Sequence, residues 1–293
     1  MVGENVFHRI TDKCSLVCDH CVYSCTPDGF VPELETVLAV MPNLPKNMKR
    51  YILTGGEPFE SEELLFGSLE YVQDNRKMMP NLEEIGVFTN GLWLTDESRA
   101  YDLIEKLNYY DVYVIGISFD KFHVRAARKN APEATPLSAQ FLRDMKEEVG
   151  QIYGGKTILW TFGDRFNYYP CPLGRAANLP PHELRGYNRC EVPQTKLEKI
   201  NVNPRGEVYL CGLEQPSASL GSAIYHPVDD LIIKSRQNPV LNALITKGPK
   251  GAARITGTDI SEYESLFTAK DCAVCKKIFS ELESNNRLAN PVT

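Results

Sequence analysis

The feature that most constrains the fold is an alternation. Strand-like runs at Val6–Thr11, Arg50–Thr54, Glu84–Thr89, Val112–Phe119 and Lys156–Phe162 are separated by helical patterns at Pro32–Met41, Glu62–Asp74, Asp96–Leu107 and Leu137–Val149. Strands that alternate with helices build βαβ units and a parallel sheet. Two helix starts carry their own signals: Ser61 before Glu62 and Glu63, and Thr95 before Asp96 and Glu97. A hydroxyl at the N-cap with acidic residues in the first turn suits a helix start. The pattern predicts an α/β chain and leaves open whether the sheet curves into a barrel. In either case ligands gather at the carboxyl ends of the strands.

The texture changes after residue 165. Residues 166–181 are rich in proline and aromatics and read as a linker. Lys199–Leu210 alternates around Asn203-Pro204-Arg205-Gly206, a hairpin signal. Residues 248–259 read as a mobile loop, and a closing helix is expected from about Ala273 to Asn285. The chain therefore divides into an α/β core over 1–180 and a smaller region over 181–293.

Chemistry enters where the first strand ends. Cys14, Cys18 and Cys21 stand in the spacing C-x3-C-x2-C. Three thiolates can hold three irons of a [4Fe–4S] cube and leave the fourth open to a small molecule. Zinc would ask for four ligands, or three and a water, usually from C-x2-C pairs. A disulfide is disfavoured, because cysteines so close on a tight loop rarely reach good S–S geometry. Later in the chain Cys190 and Cys211 form one pair around Gly206, and Cys272 and Cys275 form a C-x2-C pair. By spacing, those four suit a closed [4Fe–4S] site and zinc equally. Nine cysteines are many for a reducing compartment, where they serve as metal ligands or catalytic groups rather than bridges. The net charge of -6 gives no basic footprint for nucleic acid. No apolar run reaches membrane-spanning length and the first residues lack a signal-peptide layout, so a cytoplasmic protein is the expectation.

The cysteine triplet, followed by Gly55-Gly56-Glu57-Pro58 after the second strand, resembles the radical S-adenosylmethionine (radical SAM) superfamily. His20 departs from that pattern, standing where many members carry an aromatic residue. The resemblance implies a partial (β/α)6 TIM-like barrel whose triplet holds a reducing [4Fe–4S] cluster with SAM on its open iron. Gly55, Gly56, Glu57 and Pro58 would then meet the SAM methionine. Ser118 and Asp120, on one face at the end of the fourth strand, would meet its ribose or methionyl part, with a catalytic role also open to Asp120. Asn90, in Thr89-Asn90-Gly91, is a SAM contact or a plain turn residue. An apolar side chain of the fifth strand would pack on the adenine.

The second cysteine set resembles the twitch form of SPASM/twitch extensions, which implies a second [4Fe–4S] cluster on Cys190, Cys211, Cys272 and Cys275. Of the two cysteines left over, Cys171 is the better candidate for a hydrogen-atom donor, and Cys25 reads as a small buried residue. His123 and Arg175 read as surface groups, with a SAM or substrate carboxylate as the sharper role for Arg175. The expected activity is reductive cleavage of SAM and hydrogen abstraction, fed by a flavodoxin- or ferredoxin-like donor. The expected outcome is oxidative tailoring of a small molecule such as a sugar or aminocyclitol. With the first strand entered at residue 6, no leader-peptide recognition domain is expected before it, which weakly favours a small molecule. Cross-linking or epimerisation of a ribosomally made peptide is the alternative, and a non-enzymatic two-cluster electron carrier a third.

Overall fold

The computed structural model describes residues 3–132, 138–152, 158–162, 170–184, 190, 192–193, 197–264 and 270–285. In chain order the elements are β1 (Asn5–Arg9), α1 (Leu34–Val40), β2 (Arg50–Thr54), α2 (Glu62–Asp74), β3 (Glu84–Thr89), α3 (Glu97–Tyr109), β4 (Val112–Ser118), α4 (Lys121–Asn130), α5 (Ala139–Ile152) and β5 (Ile158–Phe162). The later region supplies β6 (Lys199–Val202), β7 (Glu207–Tyr209), β8 (Gly221–Ser222), α6 (Val228–Ser235), α7 (Pro239–Thr256), α8 (Ser261–Glu264) and α9 (Lys270–Ser284). No helix among the described residues is long and apolar enough to cross a membrane.

Among the described residues, one sheet of eight strands runs in the order β5-β4-β3-β2-β1-β6-β7-β8. The first five strands are parallel, as their alternation with helices requires. A sixth parallel strand, β6, pairs with the free side of β1 with Asn5 opposite Lys199, and β7 and β8 follow it antiparallel. The hairpin foreseen over 199–210 thus extends the core sheet from the β1 side. Val6, Tyr51, Leu53, Val87, Ile115 and Ile117 are buried along the parallel strands. Helices lay one apolar stripe against them: Leu65, Leu69 and Val72 from α2, and Ala100, Leu103, Ile104 and Leu107 from α3.

Three local readings are corrected. Residues 248–259 are not a loop, since most of them belong to α7. Gly248 (φ 71°, ψ -170°) breaks that helix, but Leu244 and Ile245 before it and Ala252 and Ala253 after it are buried, so packing carries the helix past Gly248-Pro249. Ser61 occupies the N-cap of α2, yet its hydroxyl donates to Thr11 Oγ1 instead of capping. Asp96, not Thr95, caps α3 by accepting from the Arg99 amide, while Thr95 donates to the carbonyl of Leu92. The expected linker falls partly outside the described residues, as do the first residues of the fifth strand as read from sequence.

The core also contains a pH-sensitive group. His8 is buried, with Nδ1 2.8 Å from the Tyr51 hydroxyl, and burial pushes its pKa down from 6.5 to about 3. Below pH 6.5 the unfolded chain takes up a proton at this position and the folded chain does not. Stability therefore falls with pH from about 6.5 towards 3, by several kcal/mol at the acid end. His8→Gln retains a hydrogen-bonding group without the titration. We expect the urea midpoint of the wild type to drop more steeply between pH 6.5 and 4.5 than that of His8→Gln, and an equal slope would refute the assignment.

Candidate functional site

The cysteine loop is folded back on itself. After β1, the Asp12 amide donates to the Phe30 carbonyl and the Cys14 amide to the Thr26 carbonyl, while Lys13 and Thr26 form an isolated parallel bridge. The Cys21 amide donates to Cys18 and the Ser24 amide to Cys21. Val17 (φ 48°) and Ser24 (φ 58°) sit in the left-handed region, which side chains other than glycine occupy at a cost. The turn after β2 holds this loop from one side: the Gly56 amide donates to Thr11 and the Glu57 amide to Lys13, both at 2.7 Å. Arg175 holds it from the other, with its amide on the Cys21 carbonyl and Nε on the Cys18 carbonyl, at 3.0 and 2.9 Å.

The close approach at Gly56 is strict. A Cβ there would lie 2.2 Å from the backbone oxygen of Lys13, an atom with no room to yield. At Gly55 the tightest contact is 2.8 Å, to a side-chain methyl of Thr11. We expect Gly56→Ala to displace the cysteine loop and abolish metal loading, and Gly55→Ala to retain part of it. Iron per chain after anaerobic reconstitution measures the difference.

A cavity of about 210 Å³ lies at the carboxyl ends of β1–β4. Its walls bring together Cys14, Cys18, Cys21 and Cys25 from the loop, Gly55 and Gly56, Thr89 and Asn90, Ser118, and His20, His123 and Arg175. Burial raises the Cys14 thiol to about 12, and raises Cys18 as well. Cys21 moves the other way, downwards, because the neighbouring Cys25 thiol favours its thiolate, against the effect of burial. The Asn90 amide nitrogen lies 3.9 Å from Cys14 Sγ.

Other residues singled out from the sequence stand behind this wall. Glu57 is buried and faces the strand ends: it accepts from the Thr89 hydroxyl at 2.7 Å, the Asn90 amide at 2.6 Å and the Phe59 amide at 3.2 Å. Burial lifts its pKa to about 7 against the pull of those three donors. Its carboxylate ties the turn after β2 to the turn after β3, a tie between residues 33 apart. Pro58 is buried in the turn beside it.

Asp120 caps α4, accepting from the Phe122 and His123 amides, and its second oxygen lies 2.9 Å from His123 Nδ1 and 3.5 Å from His20 Nε2. Burial raises the Asp120 carboxyl, but His123 and His20 outweigh it and hold it near 2. The His20 ring stacks on Phe122 with centroids 4.7 Å apart. His20 thus fills the aromatic position with an imidazole that burial keeps neutral, at a pKa of about 4. Among the described residues, His20, Asp120 and His123 form a group of possible metal-ligand atoms within 4.8 Å of one another. Cys171 packs against the main core and is not among the cavity's lining residues, whereas Cys25 is. The position of Cys25 was open to sequence reasoning only through its spacing from Cys21.

The second cysteine set converges from separate elements. Cys211 follows β7, and Cys272 and Cys275 lie one turn apart on α9, where i and i+3 share a face. The Cys190 amide donates to Asp271 at the start of α9, at 2.7 Å. Cys275 is buried, and burial, with the neighbouring Cys211 and Cys190 thiols, pushes its pKa up.

Between the two cysteine sets lies a cleft of about 390 Å³, lined by Arg9, Asp12, Tyr23, Glu207, Glu214 and Lys276 among others. Arg9 is buried, pairs with both Asp12 and Glu214, and lies 4.2 Å above the Tyr23 ring. Val22 and Tyr23 line both this cleft and the cysteine cavity.

No protein-family model matches this chain, and no curated protein matches it in sequence. Among solved structures it is similar to BtrN in complex with AdoMet and 2-DOIA, at 14% identity over 85% of this chain and 90% of that one, with a TM-score of 0.54. It is also similar to native anSMEcpe with bound AdoMet and Cp18Cys peptide, at 15% identity over 96% and 97% of the two chains, with a TM-score of 0.46. A third similarity is to Streptococcus suis SuiB bound to S-adenosylmethionine, at 14% identity over 92% and 72%, with a TM-score of 0.36. The likeness to BtrN is one of fold, an α/β chain with a sheet dominated by parallel strands.

Proposed function

We propose that this chain, whose fold is that of the radical SAM enzymes, is an oxidoreductase of that kind, acting on a small polar molecule. The observation that carries the reading is the cavity that gathers Cys14, Cys18 and Cys21 with Gly55, Gly56, Asn90 and Ser118 at the carboxyl ends of parallel strands. The donor set fits a [4Fe–4S] cube: soft thiols, Cys14 and Cys18 buried and Cys21 half-buried, on a loop anchored at both ends. Bound there, cluster and SAM supply a 5′-deoxyadenosyl radical, chemistry that belongs to the cofactors while the protein orients and secludes it.

The chain's own residues divide the remaining work. Gly55 and Gly56 lie in the cavity wall, and their missing side chains make room for Thr11 and Lys13 at the start of the cysteine loop. The Ser118 hydroxyl is the hydrogen-bonding group offered to the ribose. Arg175 fixes the loop carbonyls at Cys18 and Cys21. Asp120 acts at one remove, holding His123 towards the cavity. Glu57 and Pro58 shape the turn instead of touching the ligand. Cys171 stays a candidate hydrogen donor only for a redox-neutral outcome.

We assign residues 1–180 to the radical-generating core and 181–293 to a twitch-type region in which Cys190, Cys211, Cys272 and Cys275 would hold a second cluster, an electron acceptor suited to an oxidative outcome. The cleft between the cysteine sets supports a small charged or hydroxylated substrate, a sugar or aminocyclitol by class, since ionic side chains of both signs line it. A flavodoxin- or ferredoxin-like protein in the cytoplasm, where thiols stay reduced, is the electron donor.

Anaerobic reconstitution tests the reading. The protein is expected to take up about eight irons, four per cube, and to convert SAM and dithionite into 5′-deoxyadenosine. Tight zinc in place of iron at Cys14, Cys18 and Cys21, with SAM left intact, would remove the proposal.

A further inference from the structure

The cysteine loop is flanked by a helix whose charges are all of one sign. Helix α4 carries Lys121, Arg125, Arg128 and Lys129 and no carboxylate along its 10 residues, in a chain whose net charge is -6. Its two faces separate by helical period. Phe122 and Ala126 are buried. Ala126 and Ala127 pack in one apolar cluster with Cys14, Leu16, Cys18 and Cys25, and the Asn130 side-chain amide donates to the Leu16 carbonyl at 2.6 Å. Arg125, Arg128 and Lys129, at i, i+3 and i+4, are exposed on the other face. Among the described residues, Lys121 and Arg125 share one carboxylate, Glu183, at 3.4 Å each, and Arg128 and Lys129 form no ion pair. Cations in the last turn suit the helix dipole, but Lys121 in the first turn works against it. Helix stability therefore does not account for the whole basic stripe.

We infer that α4 is the surface on which the electron donor docks, and that this donor is an acidic one-electron carrier of the flavodoxin kind. The inference rests on the reading of Cys14, Cys18 and Cys21 as the holders of a reducible cluster. Electron tunnelling weakens steeply with distance, so a productive complex brings the carrier's cofactor against the loop that bears those thiols. Helix α4 offers that approach. The residues it packs on the loop, Ala126 and Ala127, are small, and Asn130 bonds directly to the backbone between Cys14 and Cys18. An acidic protein meets net repulsion from a chain at -6 and is drawn to the basic stripe, which speeds encounter and sets orientation. One electron leaves the carrier, which is oxidised, and enters the site at Cys14, Cys18 and Cys21, which is reduced; no bond forms or breaks.

The test mixes the reconstituted protein anaerobically with a purified acidic flavodoxin in its hydroquinone form and follows flavin absorbance by stopped flow. Arg128→Glu/Lys129→Glu is expected to lower the second-order rate constant at low ionic strength by about tenfold or more, within the range of electrostatic steering. The loss is expected to shrink at about 1 M salt, where the screening length is about 3 Å. Arg236→Glu/Lys250→Glu, an equal change of charge at α6 and α7, is expected to keep most of the wild-type rate. With dithionite in place of flavodoxin, all three proteins are expected to form 5′-deoxyadenosine from SAM at equal rates, which shows that the variants fold and keep the site. Carbodiimide joins a lysine to a carboxylate that touches it, and peptide mass spectrometry is expected to find Lys121 or Lys129 of the wild type linked to flavodoxin; this readout needs no variant. Equal rate constants for the wild type and Arg128→Glu/Lys129→Glu would overturn the inference, as would equal losses in the two double variants, cross-links confined to other lysines, or a wild type that dithionite reduces and flavodoxin does not. A wild type that takes up no iron at the triplet, or leaves SAM intact with dithionite, defeats the reading of the site and not this inference alone.

Discussion

Replacing any one of Cys14, Cys18 or Cys21 with Ala is expected to bring 5′-deoxyadenosine formation down to the level of a protein-free control. Each would be one of three donors on a loop whose backbone bonds fix its shape, so that the loop cannot readily shift to make good the loss of one. Cys275→Ala is expected to behave differently. It should lose about half of the iron, about four of eight, while 5′-deoxyadenosine still forms and substrate oxidation stops. Chromatography of the nucleoside alongside iron per chain separates the two cases. If Cys275→Ala also silenced SAM cleavage, the two cysteine sets would not be independent sites. If alanine at position 14, 18 or 21 left cleavage intact, the triplet would not be where SAM reacts.

The regular part of this fold was plain in the sequence, because its signals are local. The second strand, the third strand and the helix between them were read with the bounds the structure gives, Arg50–Thr54, Glu84–Thr89 and Glu62–Asp74. Apolar residues there follow a single period and polar residues end each run. Helix α7 was missed because Gly248, Pro249 and Lys250 conceal a buried stripe that resumes at Gly251, Ala252 and Ala253. Helix α4 was missed because its cap, Asp120, had been read only as a ligand group. At the site, spacing singled out three thiols that line one cavity, but not what surrounds them. Glu57 bonds to Asn90, Arg175 bonds to Cys18 and Arg9 pairs with Glu214, ties across 33, 157 and 205 residues. A single sequence carries no local trace of such pairs. Glu57, Asp120 and Arg175 bond to the turns and loops around the thiols, a role that the sequence did not point to.

Arg9 gives the second large effect. Substituting it with Ala is expected to cost about 3–5 kcal/mol of stability, the range for removing one partner of a buried ion pair. The reason is what stays behind. Arg9 is 5% exposed at the end of β1, and it pairs with Asp12 on the lead into the cysteine loop and with Glu214 beyond Cys211. Burial raises the Glu214 carboxyl, and Arg9 pulls it back. Without Arg9, the largely buried carboxylates of Asp12 and Glu214 lose the partner they share, Asp12 keeping Arg205 at 3.6 Å, and the Tyr23 ring loses the cation above it. Urea unfolding of Arg9→Met, Glu214→Gln and the double variant decides the matter. The double variant is expected to be more stable than Arg9→Met alone, since it no longer buries the charge of Glu214. Strictly additive losses would mean that the pair is not coupled. Because this one side chain reaches both the loop of Cys14, Cys18 and Cys21 and the segment after Cys211, the same substitution is expected to lower iron at both cysteine sets, whereas a defect confined to either cluster's own loop would lower only one.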